Sequence, residues 1–364
     1  MPILCTQGSD YMSNILIIDR YGEVSQTFSC ENSKNKYKHK FIIIPDDNKL
    51  MNNQVDYIIF LDYVENSFKI PQSTKKVIHL TAEPEYFKMY SQSFLNQFDY
   101  KIGGHIKSNS SNVYPTLPGL NWRVRPEPNK SLNDSFDRNK SKLISLVTSN
   151  RLISTSKEHQ KRYEFCKKLK QHFGDQLDWY GLGVDFISNK LDGLKDYRFH
   201  IALENCYQEN FFTEKLSDPF IANCYPIYSG CPNIENYFPK NALQTIDIND
   251  FDGSIHTIEN AITQNYDIRY SKEIKLSKKL VMNDYNLFQI IAEFINKVEN
   301  GQVEQIDKPQ RIIPDIIFSK KDIARFDRGN KYKAMSKILP MHHIWNIERK
   351  YLRKNQLKAD NAVN

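Results

Sequence analysis

No stretch of this 364-residue chain approaches the ~20 consecutive apolar residues that cross a bilayer, which excludes an integral helical membrane protein. Met1-Pro2-Ile3-Leu4-Cys5-Thr6-Gln7 offers no basic segment ahead of an apolar run, so a secretory leader is not expected. The six cysteines, Cys5, Cys30, Cys166, Cys206, Cys224 and Cys231, include no CxxC pair. Their spacing suits neither a zinc site nor a disulfide framework and points to a reducing, cytoplasmic compartment. The nine histidines form no HxxxH pair. The D-x-D of Asp250-Phe251-Asp252 sits beside Gly253, where a turn is expected. No metal is therefore predicted. Internal repeats of 20–50 residues and long low-complexity segments are also missing, which leaves solenoids and disordered chains out of consideration.

Positive charge exceeds negative by seven, and its placement is uneven. Eleven Lys and Arg stand against three acids between Ser319 and Lys354, so the remainder of the chain is close to neutral. A nucleic-acid binder with a basic face along its whole length is not expected from this distribution; a neutral globule with a basic tail is. Ile344, Ile347, Tyr351 and Leu352 share one face of a helix there, with Arg349, Lys350, Arg353 and Lys354 around it. That pattern suits an anionic membrane surface, and equally a basic helix docked on the body of the protein.

Ile-rich runs carry the first 125 residues: Ile15–Ile18, Phe41–Ile44, Tyr57–Leu61 and Lys76–Leu80. Continuous apolar runs of this length read as strands buried on both faces, as in a parallel sheet covered by helices. Phe87, Tyr90, Phe94 and Phe98 then recur at helical spacing behind Pro84. Residues 126–141 are proline-punctuated and polar, and read as a linker. A second series follows over 142–300. Strands are expected at Leu143–Val147, Leu177–Tyr180, Arg198–Leu203, Tyr225–Tyr228 and Gln244–Ile248. One helix carries Arg162, Phe165, Cys166, Leu169 and Phe173 along one side. Another, over 285–298, carries Leu287, Ile290, Ile291, Phe294, Ile295 and Val298. The expected fold is α/β, with two facing Rossmann-like doubly wound domains and residues 301–364 as a basic helical tail.

The chemistry concentrates between Tyr197 and Pro239. A buried strand ends in Glu204-Asn205, at the edge where open α/β sheets bind ligands. Phe212, Leu216 and Phe220 share a helix face, which sets Glu214 and Lys215 on the first turn. Free N–H groups and a lysine at a helix start make an anion site, most simply for phosphate. Pro219 reads as the start of a further helical segment capped by Asp218. Gly230, Pro232 and Pro239 read as turn residues.

These runs resemble the donor-domain signature of glycosyltransferase family 10, the α1,3/4-fucosyltransferases. The signature, approximately Y-K-F-x-x-x-x-E-N-S, then Y-V-T-E-K, then V-P-(V/I)-x-x-G, is matched in order. Its counterparts are Tyr197-Arg198-Phe199, Glu204-Asn205-Cys206, Phe211-Phe212-Thr213-Glu214-Lys215 and Tyr225-Pro226-Ile227-Tyr228-Ser229-Gly230. Upstream, Val147-Thr148-Ser149-Asn150 and Arg162-Tyr163-Glu164-Phe165 resemble the family's strand end and phosphate-binding helix. The match spans about residues 142–250. His79–Pro84 and Phe98–Gly103 resemble acceptor-domain motifs of bacterial members.

The resemblance implies an inverting, metal-independent transferase of GT-B type that uses GDP-fucose and a glycan acceptor, with no cofactor. Arg162 and Lys215 would bind the pyrophosphate, Glu214 the nucleotide-sugar, and Asn205 would lie at the donor pocket. Asn150, Tyr197 and Glu204, from the same runs, are assigned to donor binding with them. Glu83 would be the acceptor-side base, in a cleft between the two domains. Two residues depart from the family: Cys206 replaces a Ser, and Phe211 replaces a Tyr. Another nucleotide-sugar donor, or a non-catalytic glycan- or nucleotide-binding role on the same scaffold, remain the alternatives. Localisation is expected to be cytoplasmic, with peripheral attachment through residues 319–354.

Overall fold

The Ile-rich runs become the parallel strands of two separate sheets. A computed structural model describes residues 3–4, 13–19, 38–44, 54–62, 68–82, 90, 92–103, 112–119, 122–125, 140–149, 157–303 and 311–312. The described residues of Met1–Asn121 and Asn283–Ile317 form one compact unit, and those of Trp122–Met282 form the other.

The first unit contains β1 (Ile3–Leu4), β2 (Ser13–Ile18), β3 (His39–Ile44), β4 (Tyr57–Leu61), β5 (Phe68–Lys69) and β6 (Lys76–Thr81). A short helix α1 (Gln92–Leu95), then β7 (Tyr100–Gly103) and β8 (Val113–Pro115), follow. Seven of these strands form one sheet in the order β1-β3-β2-β4-β6-β7-β8. Every neighbouring pair is parallel except β1 with β3. Alternate residues serve opposite faces. Ile15, Ile17, Ile59 and Ile78 belong to one core cluster, and Leu16, Ile18, Ile58 and Val77 to the other. Burial on both faces is why the strands read as unbroken apolar runs rather than alternating ones. Phe94 and Phe98 pack edge-on in the second cluster with Phe60 and His79, beside Tyr90. Pro84 and Phe87, like Glu83, lie outside the described residues.

The second unit contains β9 (Lys142–Val147), α2 (Lys157–Phe173), β10 (Leu177–Tyr180), β11 (Tyr197–Leu203), α3 (Glu214–Ile221), β12 (Tyr225–Ser229) and β13 (Gln244–Thr245). Three further helices follow: α4 (Phe251–Thr263), α5 (Tyr266–Arg269) and α6 (Ser271–Asn283). Its five strands run in the order β10-β9-β11-β12-β13, all parallel. Counting within the sheet, that order is 2-1-3-4-5, a doubly wound arrangement that reverses direction between β9 and β11. Both units are therefore α/β.

Two expectations are corrected here. The amphipathic helix α7 (Leu287–Glu299) was expected to close the second domain at residue 300, but it groups with the first unit. Leu287, Phe288, Ile291, Phe294, Ile295 and Val298 share a cluster with Ile15, Ile17, Phe41 and Ile59 of the first sheet. Phe288 meets Phe41 edge-on at 5.1 Å between ring centroids, and β14 (Arg311–Ile312) pairs with β5 in the same unit. At about 1.5–3 kcal/mol per fully buried large apolar side chain, this face contributes on the order of 10 kcal/mol before entropy is counted. Ile291→Asp would remove that anchorage. Residues 122–125, expected to close the first domain, group with the second unit instead. The Arg123 N–H donates to the Asp218 carboxylate there at 2.9 Å. Of the expected linker 126–141, only Lys140 and Ser141 are described. The Lys140 ammonium donates to the Lys195 and Ala222 carbonyls at 2.9 and 2.6 Å.

The second correction concerns Pro219, which lies inside α3 rather than starting a new segment. The helix is only two turns long, so the ring forfeits one backbone bond. The next residues still close the end, through Ala222 N–H to the Asp218 carbonyl and Cys224 N–H to the Pro219 carbonyl, both at 2.9 Å. Asp218 caps nothing: its side chain is fully buried and pairs with the Lys190 ammonium at 2.8 Å.

Candidate functional site

Strand β11 delivers Glu204 to the C-terminal edge of the second sheet, where the Glu204 N–H is still held by the Ser229 carbonyl of β12 at 2.8 Å. The carboxylate is buried and faces the start of α3. Its Oε1 accepts from the Thr213 N–H at 2.8 Å, and the Thr213 hydroxyl donates to the two oxygens at 2.9 and 3.0 Å. Thr213 is the N-cap of α3, accepting the Lys215 N–H at 3.2 Å. One of the N–H groups expected to stand free at this helix start, that of Lys215, is thus already held by the cap.

Lys215 folds back over the same group. Its ammonium lies 3.1 Å from Thr213 Oγ1, 3.3 Å from Glu214 Oε1 and 3.4 Å from Glu204 Oε2. Lys190, from a short 3-10 helix over Lys190–Gly193, donates to the Glu214 carbonyl at 3.1 Å and pairs with Asp218. Burial alone would push the Glu214 carboxyl up. Lys215, Lys190 and Arg123 more than offset it and hold the group at about 2, so it is ionised at neutral pH. Burial does prevail at Asp218, which sits above its ordinary value although Lys190 pulls it down. Three cations and three carboxylates thus interlock at the start of α3. An incoming anion competes with carboxylates for Lys215 rather than meeting an unengaged charge.

Beside this cluster lies a cavity of about 630 Å³, of the size that holds a small-molecule ligand. It is walled by Glu204–Tyr207 after β11, by Tyr228 and Gly230–Pro232 after β12, by Thr245–Asn249 around the end of β13, and by Lys161 on α2. Strand ends of a doubly wound sheet meet here at their ligand-binding edge. Gly230, expected as an ordinary turn residue, has a second reason to be glycine: a Cβ there would collide with Glu204 Cγ and the Tyr228 ring.

The sequence-assigned residues separate into groups. Glu204 and Asn205 line the cavity, and the Asn205 Oδ1 is buried without a hydrogen-bond partner. Glu214 and Lys215 connect to the cavity wall through Glu204. Arg162 is buried one residue along α2 from Lys161, and its Nη1 donates to the Leu203 carbonyl at the end of β11, at 3.4 Å. Tyr197 is not brought to this site. It is the first residue of β11, seven positions before Glu204 and about 23 Å away along an extended strand. Its hydroxyl donates to Asp178 Oδ2 at 2.5 Å and lies 2.7 Å from the Tyr180 hydroxyl. Asn150 and Glu83 lie outside the described residues. In the first unit, β6 ends at Thr81 next to Asp62, whose Oδ1 accepts from the Ala82 N–H at 2.9 Å and the Tyr90 hydroxyl at 3.1 Å. Asp250 of the D-x-D caps α4, accepting the Gly253 N–H at 3.0 Å. Among the described residues, no three His, Cys, Asp or Glu side chains gather as a metal site.

Sequence reasoning missed Arg123 and Lys190, and did not single out Asp247 and Tyr207, which line the cavity. None carries a motif; Lys190 and Arg123 read as ordinary solvated cations until the fold sets Lys190 against Asp218 and Arg123 near Glu214.

Residues 138–266 match the family model described as glycosyltransferase family 10 (fucosyltransferase) C-term. This segment contains the 142–250 signature, so the resemblance holds where it was drawn. Similar curated proteins include alpha-(1,3)-fucosyltransferase B of Drosophila melanogaster, 33% identical over 106 residues, or 25% of this chain and 23% of the relative. Alpha-(1,3)-fucosyltransferase FucT of Helicobacter pylori is 28% identical over 126 residues, or 32% of this chain and 26% of the relative. The chain thus aligns with about a quarter of the length of each. Among solved structures, an alpha1,3-fucosyltransferase with GDP-fucose matches 77% of this chain and 94% of its own, at 19% identity and a TM-score of 0.45.

Proposed function

We propose that the protein is an inverting, metal-independent glycosyltransferase of GT-B type that moves fucose from GDP-fucose to a hydroxyl of a glycan acceptor. One observation carries the reading. A cavity at the C-terminal edge of the second sheet adjoins the Glu204–Thr213–Lys215 lock, inside the segment that matches the fucosyltransferase model.

In the reaction, the acceptor oxygen bonds to C1 of the sugar as the bond from C1 to the phosphate oxygen breaks. GDP departs with that electron pair, and the acceptor proton goes to a base. Arg162 and Lys215 supply fixed positive charge for the departing pyrophosphate, a task that other transferases give to a metal. Glu204 does not touch the reacting atoms in this scheme. It is a positioning residue, holding Thr213 and Lys215 at the helix start. Asn205 offers a buried acceptor to the donor. Glu83 takes the proton. Asp250 is engaged as a helix cap, which supports the metal-free reading.

A second reading keeps the fold and changes the sugar. Phe211 is buried where the family has a tyrosine, and its ring brings no hydroxyl to the donor. Residues 319–354 we read as a reversible attachment to acidic lipid, on their charge and apolar spacing alone.

The test is release of GDP or UDP by purified full-length protein against a panel of nucleotide-sugars and glycan acceptors, with and without EDTA. GDP release from GDP-fucose that is acceptor-dependent and unaffected by EDTA is expected. Release of UDP alone would overturn the donor, and activity restored only by manganese would overturn the Lys/Arg account.

A further inference from the structure

Helices α5 and α6 carry a face that the transfer scheme leaves unused. Packing sets their inner side. The Tyr266 and Tyr270 rings lie 5.9 and 6.3 Å from that of the buried Tyr225 on β12, and Ile274, Ser277 and Val281 are buried. Both acids of the stretch belong to that inner side. Asp267 is clamped by Arg198 at 2.7 and 2.8 Å, and the half-buried Glu273 lies within electrostatic reach of Tyr225. Apart from Ser271, what is left exposed is Arg269, Lys272, Lys275 and Lys279 with Ile268 and Leu276, the last two 67% and 49% exposed. Lys272, Lys275, Leu276 and Lys279 stand three and four residues apart, so they share one face of α6. Among the described residues, no carboxylate is within ion-pair distance of these three lysines. A lone exposed aliphatic residue needs no explanation. Here two of them stand among four cations, with no exposed acid from Ile268 to Lys279. The outer face of α4 shows the ordinary pattern: Asp252, His256, Glu259 and Asn260 are exposed there, and no large apolar residue is.

We infer that this face docks on the surface of an acidic phospholipid bilayer, the lysines and Arg269 lying among the headgroups and Ile268 and Leu276 entering toward the acyl chains. None of these residues lines the donor cavity, so the inference does not depend on what that cavity binds. Charge selects the occupant. A face with cations and no exposed acid complements an anionic surface. A second copy of the chain would set lysine against lysine across a two-fold contact, and residues 319–354, basic themselves, would be repelled. A nucleic acid is read by forked arginines and stacked aromatic rings, and this face offers one arginine and no exposed ring. Lysine suits lipid. Its ammonium reaches the headgroup phosphates while its methylene stem lies beside the aliphatic neighbours. Neither charge nor a small apolar area holds a protein on a bilayer firmly by itself, and this face supplies both signals together.

The experiment measures partitioning of the full chain onto vesicles of phosphatidylcholine, alone or with about a third phosphatidylglycerol. Binding is expected only to the acidic vesicles and should weaken as salt rises. Replacing Lys272, Lys275 and Lys279 together by Ala should weaken it about 100-fold, roughly fivefold for each charge removed from the membrane surface. Replacing Ile268 and Leu276 together by Ser leaves the charge untouched and should weaken it roughly tenfold. Melting temperature and GDP affinity should match wild type in both variants. Leu276→Trp places a reporter on the face itself. With the wild-type spectrum as baseline, its emission should shift to the blue on acidic vesicles and be quenched by lipids brominated in the acyl chain. Vesicle binding without that quenching would mean that another part of the chain makes the contact, and would overturn the inference. So would a lysine variant that binds within about threefold of wild type. Weakening in the lysine variant alone, with the serine variant unchanged, would overturn the lipid assignment in favour of a soluble polyanion. If either multiple variant folds poorly, the Leu276→Trp readout still decides.

Discussion

The two edges of the second sheet carry polar networks of similar size and different character. At the N-terminal edge, Lys142 donates to Tyr197 and Asp178 at 3.0 and 3.1 Å, and Tyr197 donates to Asp178. Next to it, Arg198 clamps Asp267 with two bonds at 2.7 and 2.8 Å and reaches Asn265 as well. At the C-terminal edge, Glu204, Thr213, Glu214 and Lys215 interlock with equal thoroughness, yet Glu204 also forms a wall of the cavity. A polar network is therefore not a site by virtue of its charges. What marks the C-terminal edge is the opening among the loops that follow β11, β12 and β13, where strand ends diverge and helix starts converge.

The comparison extends to the first sheet, where the largest effect is expected. Glu83 follows the C-terminal end of β6. Glu83→Gln should cut turnover ~10²–10⁴-fold, with GDP binding intact, because only proton acceptance is lost. Initial rates of GDP release check this. Retention of more than about a third of wild-type turnover would move the search for the base to Asp62, Glu65 and Glu85 in the same domain.

Lys215→Ala should weaken GDP binding roughly 10–100-fold, the range expected for a lost charge-assisted bond. The loss is compounded because Glu204 and Glu214 are left facing the pyrophosphate without their counter-ion. Calorimetric titration at a temperature well below the melting point separates this from unfolding. An affinity within threefold of wild type would break the assignment.

Tyr197→Phe sharpens the contrast from the other edge. Removing the hydroxyl leaves Asp178 and Lys142 short of a partner and should cost about 1–3 kcal/mol of stability by denaturant titration. GDP affinity should stay within twofold of wild type. A loss of GDP binding as steep as that of Lys215→Ala would mean the two edges are not functionally distinct after all.

The smallest effect is in acid. Glu214 is held at about 2 by Lys215, Lys190 and Arg123 against the opposing effect of burial, well below the ordinary value of 4.5. A depressed carboxyl contributes stability that is fully present above its unfolded value and lost as pH falls through its folded one. Wild type should therefore lose melting temperature more steeply than Glu214→Gln between about pH 4.5 and 2, and the two curves should run parallel above that window. Parallel curves throughout would show that the ion cluster does not hold Glu214 as described.

Much of this was legible in order along the chain. The runs at 15–18, 41–44, 57–61 and 76–80 became β2, β3, β4 and β6, because strands buried on both faces leave no room for polar residues. The donor signature was legible because strand end, helix cap and cation must follow one another within a few residues for the chemistry to assemble. Tyr197 was misassigned for the reverse reason. It belongs to the same short signature, yet a strand of seven residues carries its first member to the opposite edge from its last. Lys190 and Arg123 left no signal because their partners come from elements far along the chain.

The sequence alone determined what is local: where strands and helices form, which face of α7 is apolar, and that Thr213, Glu214 and Lys215 stand at a helix start. Tertiary structure alone decided what those pieces face. Apolar burial has no direction, so α7 fits any sheet of suitable shape, and only the fold set it against Ile15 and Phe41 rather than closing the second unit. Charge is likewise blind to sequence distance. Lys190 and Asp218 pair at 2.8 Å across a break of 28 residues. The cavity exists only because three loops, separate in the chain, end beside one another at a single edge of the sheet.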